Sequence, residues 1–252
     1  MNMLDLYVEY HEWVGYGMVI TSIITFFAVM FKTAPYGRHS SATSSKYWGP
    51  PINAVLAWMI MEAPSPIFMA IYFFRASEPL TITRLILFIL FELHYVNRAF
   101  IFPFRMKNPT PMYISIMAQA FFFNLVNGPL QGIQVAYGEY TSENLYTWQF
   151  ILGVIVFISG WYINYQSDDI LRNLRKPGEE RKYKIPYGGA FNWVTAANYF
   201  GEIVEWTGWG LATWSVAGFS FALFTFANLA PRGATHHKWY LQKFGKEYPK
   251  NR

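Results

Sequence analysis

Residues 191–230 read FNWVTAANYFGEIVEWTGWGLATWSVAGFSFALFTFANLA, with Glu202 and Glu205 as the only charged side chains. Drawn out as one α-helix at 1.5 Å per residue, this run would be about 60 Å long, twice the roughly 30 Å thickness of a bilayer's hydrocarbon core. It therefore has to fold back once, and Ser215–Gly218 is where the sequence offers the turn. Lys and Arg are absent from 185–231, and equally from 1–31 and 108–171. The basic residues crowd instead into the segments between these gaps. With 53% hydrophobic and 20% aromatic residues against 14% charged ones, burial in lipid is the simplest account of the composition.

Working outward, a spanning helix needs roughly 20 apolar residues, and 13–31 supplies a first one, followed by Lys32, Arg38 and Lys46. A second runs over about 51–74, with Glu62 as its only charge before Arg75, and a third over about 80–104 carries Arg84, Glu92, His94 and Arg98. A fourth lies near 111–137 and a fifth near 145–166, ahead of a polar loop holding Asp168, Arg172, Arg175, Lys176, Arg181, Lys182 and Lys184. The fold-back in 191–230 adds two. Basic residues gather after spans one, three and five and in the tail from Arg232, and only an odd number of spans puts that tail on the positive, cytosolic side. The prediction is an all-α polytopic membrane protein with seven transmembrane helices. Its N-terminus is outside and its C-terminus cytosolic, and 1–252 forms one catalytic domain. The first 12 residues carry Asp5, Glu9 and Glu12 but no Lys or Arg, which argues against a cleaved leader. The net charge of +5 reflects topology, so nucleic acid is not an expected partner.

An ionisable group within a span costs roughly 2.5–3.5 kcal/mol near the helix centre and marks a functional hypothesis. The candidates are Glu62, Glu92, His94, Arg98, Glu202 and Glu205. Glu62 precedes a Pro64-Ser65-Pro66 break, where freed backbone can open a polar cavity. Asn198, Glu202 and Glu205 fall at i, i+4, i+7, so one stripe gathers an amide and two carboxylates whose partner must be cationic or rich in donors. Asn164 and Asp168 share a second face, which runs on toward Arg172 and Arg175. The bland alternative is that these carboxylates only neutralise Lys and Arg of the same loop. Dinucleotide-binding, Walker A, zinc-protease and nucleophile-elbow motifs are missing. The chain has no cysteine, and its five histidines are too scattered for a di-iron site, so no metal is expected.

Several of these segments resemble the steroid 5-alpha-reductases, membrane enzymes that use NADPH. The matching text is Asn164-x-x-Ser167-Asp168-x-Ile170-Leu171-Arg172, Leu174-Arg175-Lys176-Pro177-Gly178-Glu179, Ile185-Pro186-x-Gly188-Gly189 and Ala197-Asn198-x-x-Gly201-Glu202-Ile203-x-Glu205-Trp206. Ala212-Thr213-Trp214, His236-His237 and Tyr240-Leu241 complete it, with thinner matches at Tyr36-Gly37-x-His39, Ala57-Trp58, Glu62-x-Pro64-Ser65 and His94-Tyr95-x-x-Arg98. Met61 and Asn97 stand where the family often has Gln and His, a departure that bears on steroid preference.

The resemblance implies reduction of the C4=C5 double bond of a 3-oxo steroid such as testosterone or progesterone. Residues 1–110 would mainly hold the steroid and 111–252 mainly NADPH. It assigns Glu62 and Tyr95 to polarising the C3 carbonyl, with Trp58 and Arg98 beside them in the substrate site. Cofactor positions carried over are Tyr36, Asn164, Asp168, Arg175, Asn198, Glu202, Arg232, His236 and Tyr240. An NADPH phosphate needs cations, while carboxylates and amides suit ribose hydroxyls and the carboxamide. The membrane would be the endoplasmic reticulum in a eukaryote and the cytoplasmic membrane in a bacterium. A monomer suffices, and oligomeric state is not legible in the sequence. Two rivals are an isoprenylcysteine-type membrane methyltransferase using S-adenosylmethionine and a non-catalytic sterol-binding or transport protein. Related lipid reductases acting on enoyl-CoA or sterol rings compete within the enzyme class.

Overall fold

The computed structural model describes residues 3–31, 48–174 and 183–252, and among these nearly all regular structure is helical. Helix α1 spans Met3–Phe31. Helices α2 (Ala54–Glu62) and α3 (Pro64–Arg75) follow one another through the single residue Ala63. The Asn53 side chain starts α2 by accepting the Leu56 amide, one of the donors that a helix N-terminus leaves unpaired. Pro64 and Pro66 interrupt the ladder because proline brings no N–H to the carbonyl one turn back. Ala63 itself stays helical (φ −57°, ψ −32°), so the break is one of hydrogen bonding.

Helix α4 (Ile82–Val96) begins where the Thr81 hydroxyl accepts the Arg84 amide, and it runs through a π-helical turn, Asn97–Ile101, into α5 (Phe102–Arg105). A π turn inserts one extra residue and re-aims the side chains around it, here that of Arg98. Helices α6 (Ile114–Tyr137), α7 (Trp148–Asn173), α8 (Ala197–Thr213) and α9 (Val216–Phe244) follow. The fold-back within 191–230 occurs between α8 and α9. Trp214 there adopts the left-handed conformation (φ 44°), and the Ser215 hydroxyl accepts the Gly218 amide to open α9. Two-residue strands β1 (Pro51–Ile52) and β2 (Met112–Tyr113) pair antiparallel and tie the start of α2 to the start of α6.

Four helical stretches among the described residues are long and apolar enough to cross a membrane: Glu9–Phe31, Ala54–Arg75, Ile82–Arg105 and Trp148–Asn173. The sequence reading expects seven crossings. Helix α8 has only 17 residues, and the apolar runs of α6 and α9 are interrupted by polar side chains such as Asn127 and Gln131 or Arg232 and His236. Asn124, Asn127 and Gln131 are buried on α6, and Glu205 is buried on α8. Around the whole bundle, Ile20, Ile24, Phe27, Ile89 and Ile155 are exposed, as suits surfaces that meet lipid.

Glycines set the closest helix contacts. A Cβ at Gly160 of α7 would meet the backbone of Glu205 on α8, and one at Gly201 of α8 would meet the backbone of Asn164 on α7. Gly153 and Gly208 repeat the contact further along the pair. Small residues let helix backbones approach where hydrocarbon offers no hydrophobic drive for association. The approach brings the polar residues of α7 within reach of those of α8. Gly160→Val is therefore expected to lower the unfolding temperature in detergent by an amount corresponding to about 1–3 kcal/mol of overpacking. Gly17→Ala, where an added methyl meets nothing within 4 Å, should not lower it and should raise it slightly, because alanine is the better helix former.

Candidate active site

The polar stripes of the sequence meet at Arg98. Its Nη1 donates to Asp168 Oδ2 of α7 at 3.0 Å, and its Nη2 donates to Glu202 Oε2 of α8 at 2.6 Å. Its guanidinium also lies 5.2 Å from the ring centroids of both Trp58 and Phe102. Aromatic faces complement a cation that has lost most of its water. A cation for these carboxylates thus comes from the π-helical turn after α4, which meets α7 and α8 at this junction.

Amides complete this junction. Asn164 Nδ2 donates to the Asn198 carbonyl at 2.9 Å and reaches Glu202 Oε2 at 3.4 Å, while Asn198 Nδ2 donates to Asp168 Oδ1 at 3.1 Å. One turn earlier on α4, His94 Nδ1 and Glu205 Oε1 are 2.8 Å apart, and both residues are buried. Trp206 packs edge-on against the His94 ring at 4.7 Å. Six ionisable residues were singled out within the spans, and the fold brings His94, Arg98, Glu202 and Glu205 together. Glu92 lies apart from them in the hydrogen-bond network, and its Oε1 is buried without a partner.

A cavity of about 340 Å³ opens beside the Arg98 junction, lined by Trp58, Arg98, Asp168, Asn198 and Tyr240. Three cations, Lys107, Arg172 and Lys184, also line it. Lys107 donates to Asn173, and Arg172 pairs with Asp169 on its own helix. Tyr240 is held by stacking on Phe244 and Tyr248 at 5.8 and 5.2 Å. Asp168 and Asn198 in the same lining as these cations suit a ligand that carries both hydroxyls and anionic groups, while Asn164 and Glu202 lie behind them, outside the lining.

Glu62 and Tyr95 stand outside this lining. Asn124 of α6 donates to Glu62 Oε2 at 3.1 Å, and Ser65 Oγ donates to Asn124 Oδ1 at 2.7 Å. Tyr95 is buried, with its hydroxyl toward Ser65 and Asn127. Arg232 donates to Asn228 one turn back on α9, and the His236 ring lies 5.3 Å from that of Tyr199; neither lines the cavity. Tyr36 and Arg175, with Lys176, Arg181 and Lys182 of the same loop, lie outside the described residues. Among the described residues, no group of three or more His, Asp or Glu side chains is gathered to hold a metal ion.

Sequence reasoning passed over Asn124, Asn127 and Gln131, which recur at i, i+3 and i+7 on the inner face of α6. Gln131 accepts the Trp209 indole N–H at 2.9 Å and donates to Asn127 and to the Ala217 carbonyl, so it pins α6 to α8 and α9. That spacing was the available signal. A neutral amide stands out less than a charge because it costs less to bury.

Residues 110–252 match a family model described as 3-oxo-5-alpha-steroid 4-dehydrogenase. The chain is 39% identical to steroid 5-alpha-reductase DET2 of Gossypium hirsutum, over 93% of this chain and 92% of that protein. It is 41% identical to the DET2 protein of Arabidopsis thaliana, over 88% and 86% of the two chains. It is also 43% identical to human 3-oxo-5-alpha-steroid 4-dehydrogenase 1, over 86% of this chain and 83% of the human one.

Proposed function

The chain belongs to the steroid 5-alpha-reductase family, and from that premise we propose that it reduces the C4=C5 double bond of a 3-oxo-Δ4 steroid at the expense of NADPH. One observation carries the reading beyond family membership. Two different polar sets share one helical bundle, the Arg98 junction beside a cation-bearing cavity and the chain that joins Glu62 to Asn124 and Ser65.

The donor set fits a phosphorylated dinucleotide. Asn164, Asp168, Asn198 and Glu202 would hold ribose hydroxyls and the carboxamide, Lys107, Arg172 and Lys184 would meet phosphate charge, and Tyr240 would form part of the wall. Tyr36, Arg175, Arg232 and His236 are the further cofactor positions that the family supplies. NADPH, when bound there, supplies the hydride that C5 accepts. The protein's own part is to make C5 electrophilic. Glu62 and Tyr95 donate to the C3 oxygen, on which negative charge develops as C5 gains its hydrogen, and C4 then takes up a proton. Donors already fixed in a dry site cost no reorganisation at that moment. Trp58 and Arg98 border the substrate side. Residues 1–110 mainly hold the steroid and 111–252 mainly the cofactor, with Arg98 bridging the two.

The membrane placement is part of the same reading. Helices α6, α8 and α9 join the four more apolar stretches to give seven crossings, because their polar groups turn inward and leave apolar faces for lipid. Exposed Trp13, Tyr146, Trp148 and Trp214 fall near the ends of proposed spans that would share the outer interface, where aromatic residues settle. The N-terminus is then outside and the basic tail cytosolic. The membrane is the endoplasmic reticulum in a eukaryotic source and the cytoplasmic membrane in a bacterial one. Purified protein supplied with NADPH and testosterone or progesterone should consume NADPH in step with formation of the 5α-reduced steroid. Absence of product across several 3-oxo-Δ4 steroids would overturn the proposal.

A further inference from the structure

Asn124 lies outside every set of residues assigned above to substrate or cofactor, yet its whole hydrogen-bonding capacity is spent beside Glu62. Its side chain is buried. Nδ2 donates to the Met61 carbonyl at 2.7 Å and to Glu62 Oε2 at 3.1 Å, while Oδ1 accepts from Ser65 Oγ at 2.7 Å. This amide sits at the break between α2 and α3. Pro64 and Pro66 bring no N–H to the Ile60 and Glu62 carbonyls one turn back, and the Met61 carbonyl between them accepts from Asn124 of α6.

Chemistry fixes which way this amide points. A main-chain carbonyl can only accept, so the atom that faces Met61 must be the NH₂ group. The Ser65 hydroxyl then supplies the hydrogen for Oδ1. One consequence reaches Glu62. Because Nδ2 can only donate, Glu62 Oε2 must accept, and a proton carried by this carboxyl belongs on Oε1.

We infer that Asn124 is a positioning residue for the reduction: it commits Oε2 of Glu62 as an acceptor and thereby presents the Oε1 hydroxyl to the C3 oxygen of the steroid. The inference rests on the reading of Glu62 as a donor to that oxygen. Ser65 holds the amide from its other side.

The test is a double-mutant cycle on purified protein with NADPH and a 3-oxo-Δ4 steroid, in which Asn124→Ala is made in the wild-type and in the Glu62→Ala background. In the wild-type background kcat should fall about tenfold to a hundredfold, the range that a misplaced catalytic group costs, with the KM for NADPH unchanged. In the Glu62→Ala background the same substitution should have almost no further effect, since nothing is left to position. Ser65→Ala is the gentler variant, with a loss of about threefold to tenfold that also vanishes when Glu62 is absent. Equal losses in both backgrounds would reduce Asn124 to a structural role and overturn the inference, as would full activity of Asn124→Ala. A wild-type protein that yields no 5α-reduced product, or a fully active Glu62→Ala, would overturn the underlying functional reading as well. Those two results are visible without any Asn124 variant.

Discussion

Glu62→Gln and Tyr95→Phe are each expected to lower kcat by about a hundredfold to a thousandfold, the loss typical of removing one preorganised donor to a developing oxyanion. The two substitutions act for different reasons. A glutamine amide can still face Asn124 through its oxygen and offer an N–H to the substrate, but it is a far weaker acid than a carboxyl group. Phenylalanine keeps the ring packing of Tyr95 against Phe91, 4.6 Å between centroids, and deletes only the hydroxyl. Neither side chain lines the cavity beside Arg98. The KM for NADPH should therefore move by less than about twofold, because an interaction made only in the transition state leaves ground-state binding alone. The double variant should lose less than the product of the single losses, since both donors serve one oxygen. Steady-state kinetics with testosterone and NADPH decides the matter, and wild-type turnover in either single variant would remove that residue from the mechanism.

Much of this site was legible in the sequence, for a reason that belongs to membranes. Lipid makes a charged side chain costly, so Glu62, His94, Arg98, Glu202 and Glu205 stand out against their apolar neighbours. Periodicity then placed Asn198, Glu202 and Glu205 on one face, and length alone required the turn that the chain makes at Trp214 and Ser215. What sequence could not supply was pairing across helices. Nothing in the spacing on α8 says that Glu202 answers Arg98, or that a π turn after α4 carries that cation. Neutral amides were harder to see than charges, which is why Asn124 and Gln131 escaped notice although they are as thoroughly buried. The glycine spacing 153, 160 on α7 and 201, 208 on α8 also carried information. Each pair repeats after seven residues, two turns of helix, and so marks the seam where the two helices touch.

That seam makes Arg98 the residue whose loss should be most damaging to the fold as well as to binding. Its side chain is only 11% exposed, and its partners Asp168 and Glu202 are 12% and 16% exposed. Replacing Arg98 by Met would leave two carboxylates facing each other without a cation, and breaking a buried ion pair in this way costs about 3–5 kcal/mol. Arg98→Met is thus expected to unfold at a markedly lower temperature in detergent and to lose measurable NADPH affinity. Arg98→Lys should recover little of either, because one ammonium group cannot reproduce two separate bonds of 3.0 and 2.6 Å while lying over Trp58 and Phe102. The informative variant combines Arg98→Met with Asp168→Asn and Glu202→Gln. Removing all three charges together eliminates the uncompensated repulsion, so thermal stability should return most of the way to wild type. Cofactor affinity should not return with it, since the groups proposed to hold the ribose and carboxamide have been altered. Recovery of both in the triple variant would mean that the junction serves only to hold α4, α7 and α8 together. Recovery of neither would mean that the cost of Arg98→Met lies in lost packing against Trp58 and Phe102 rather than in exposed charge.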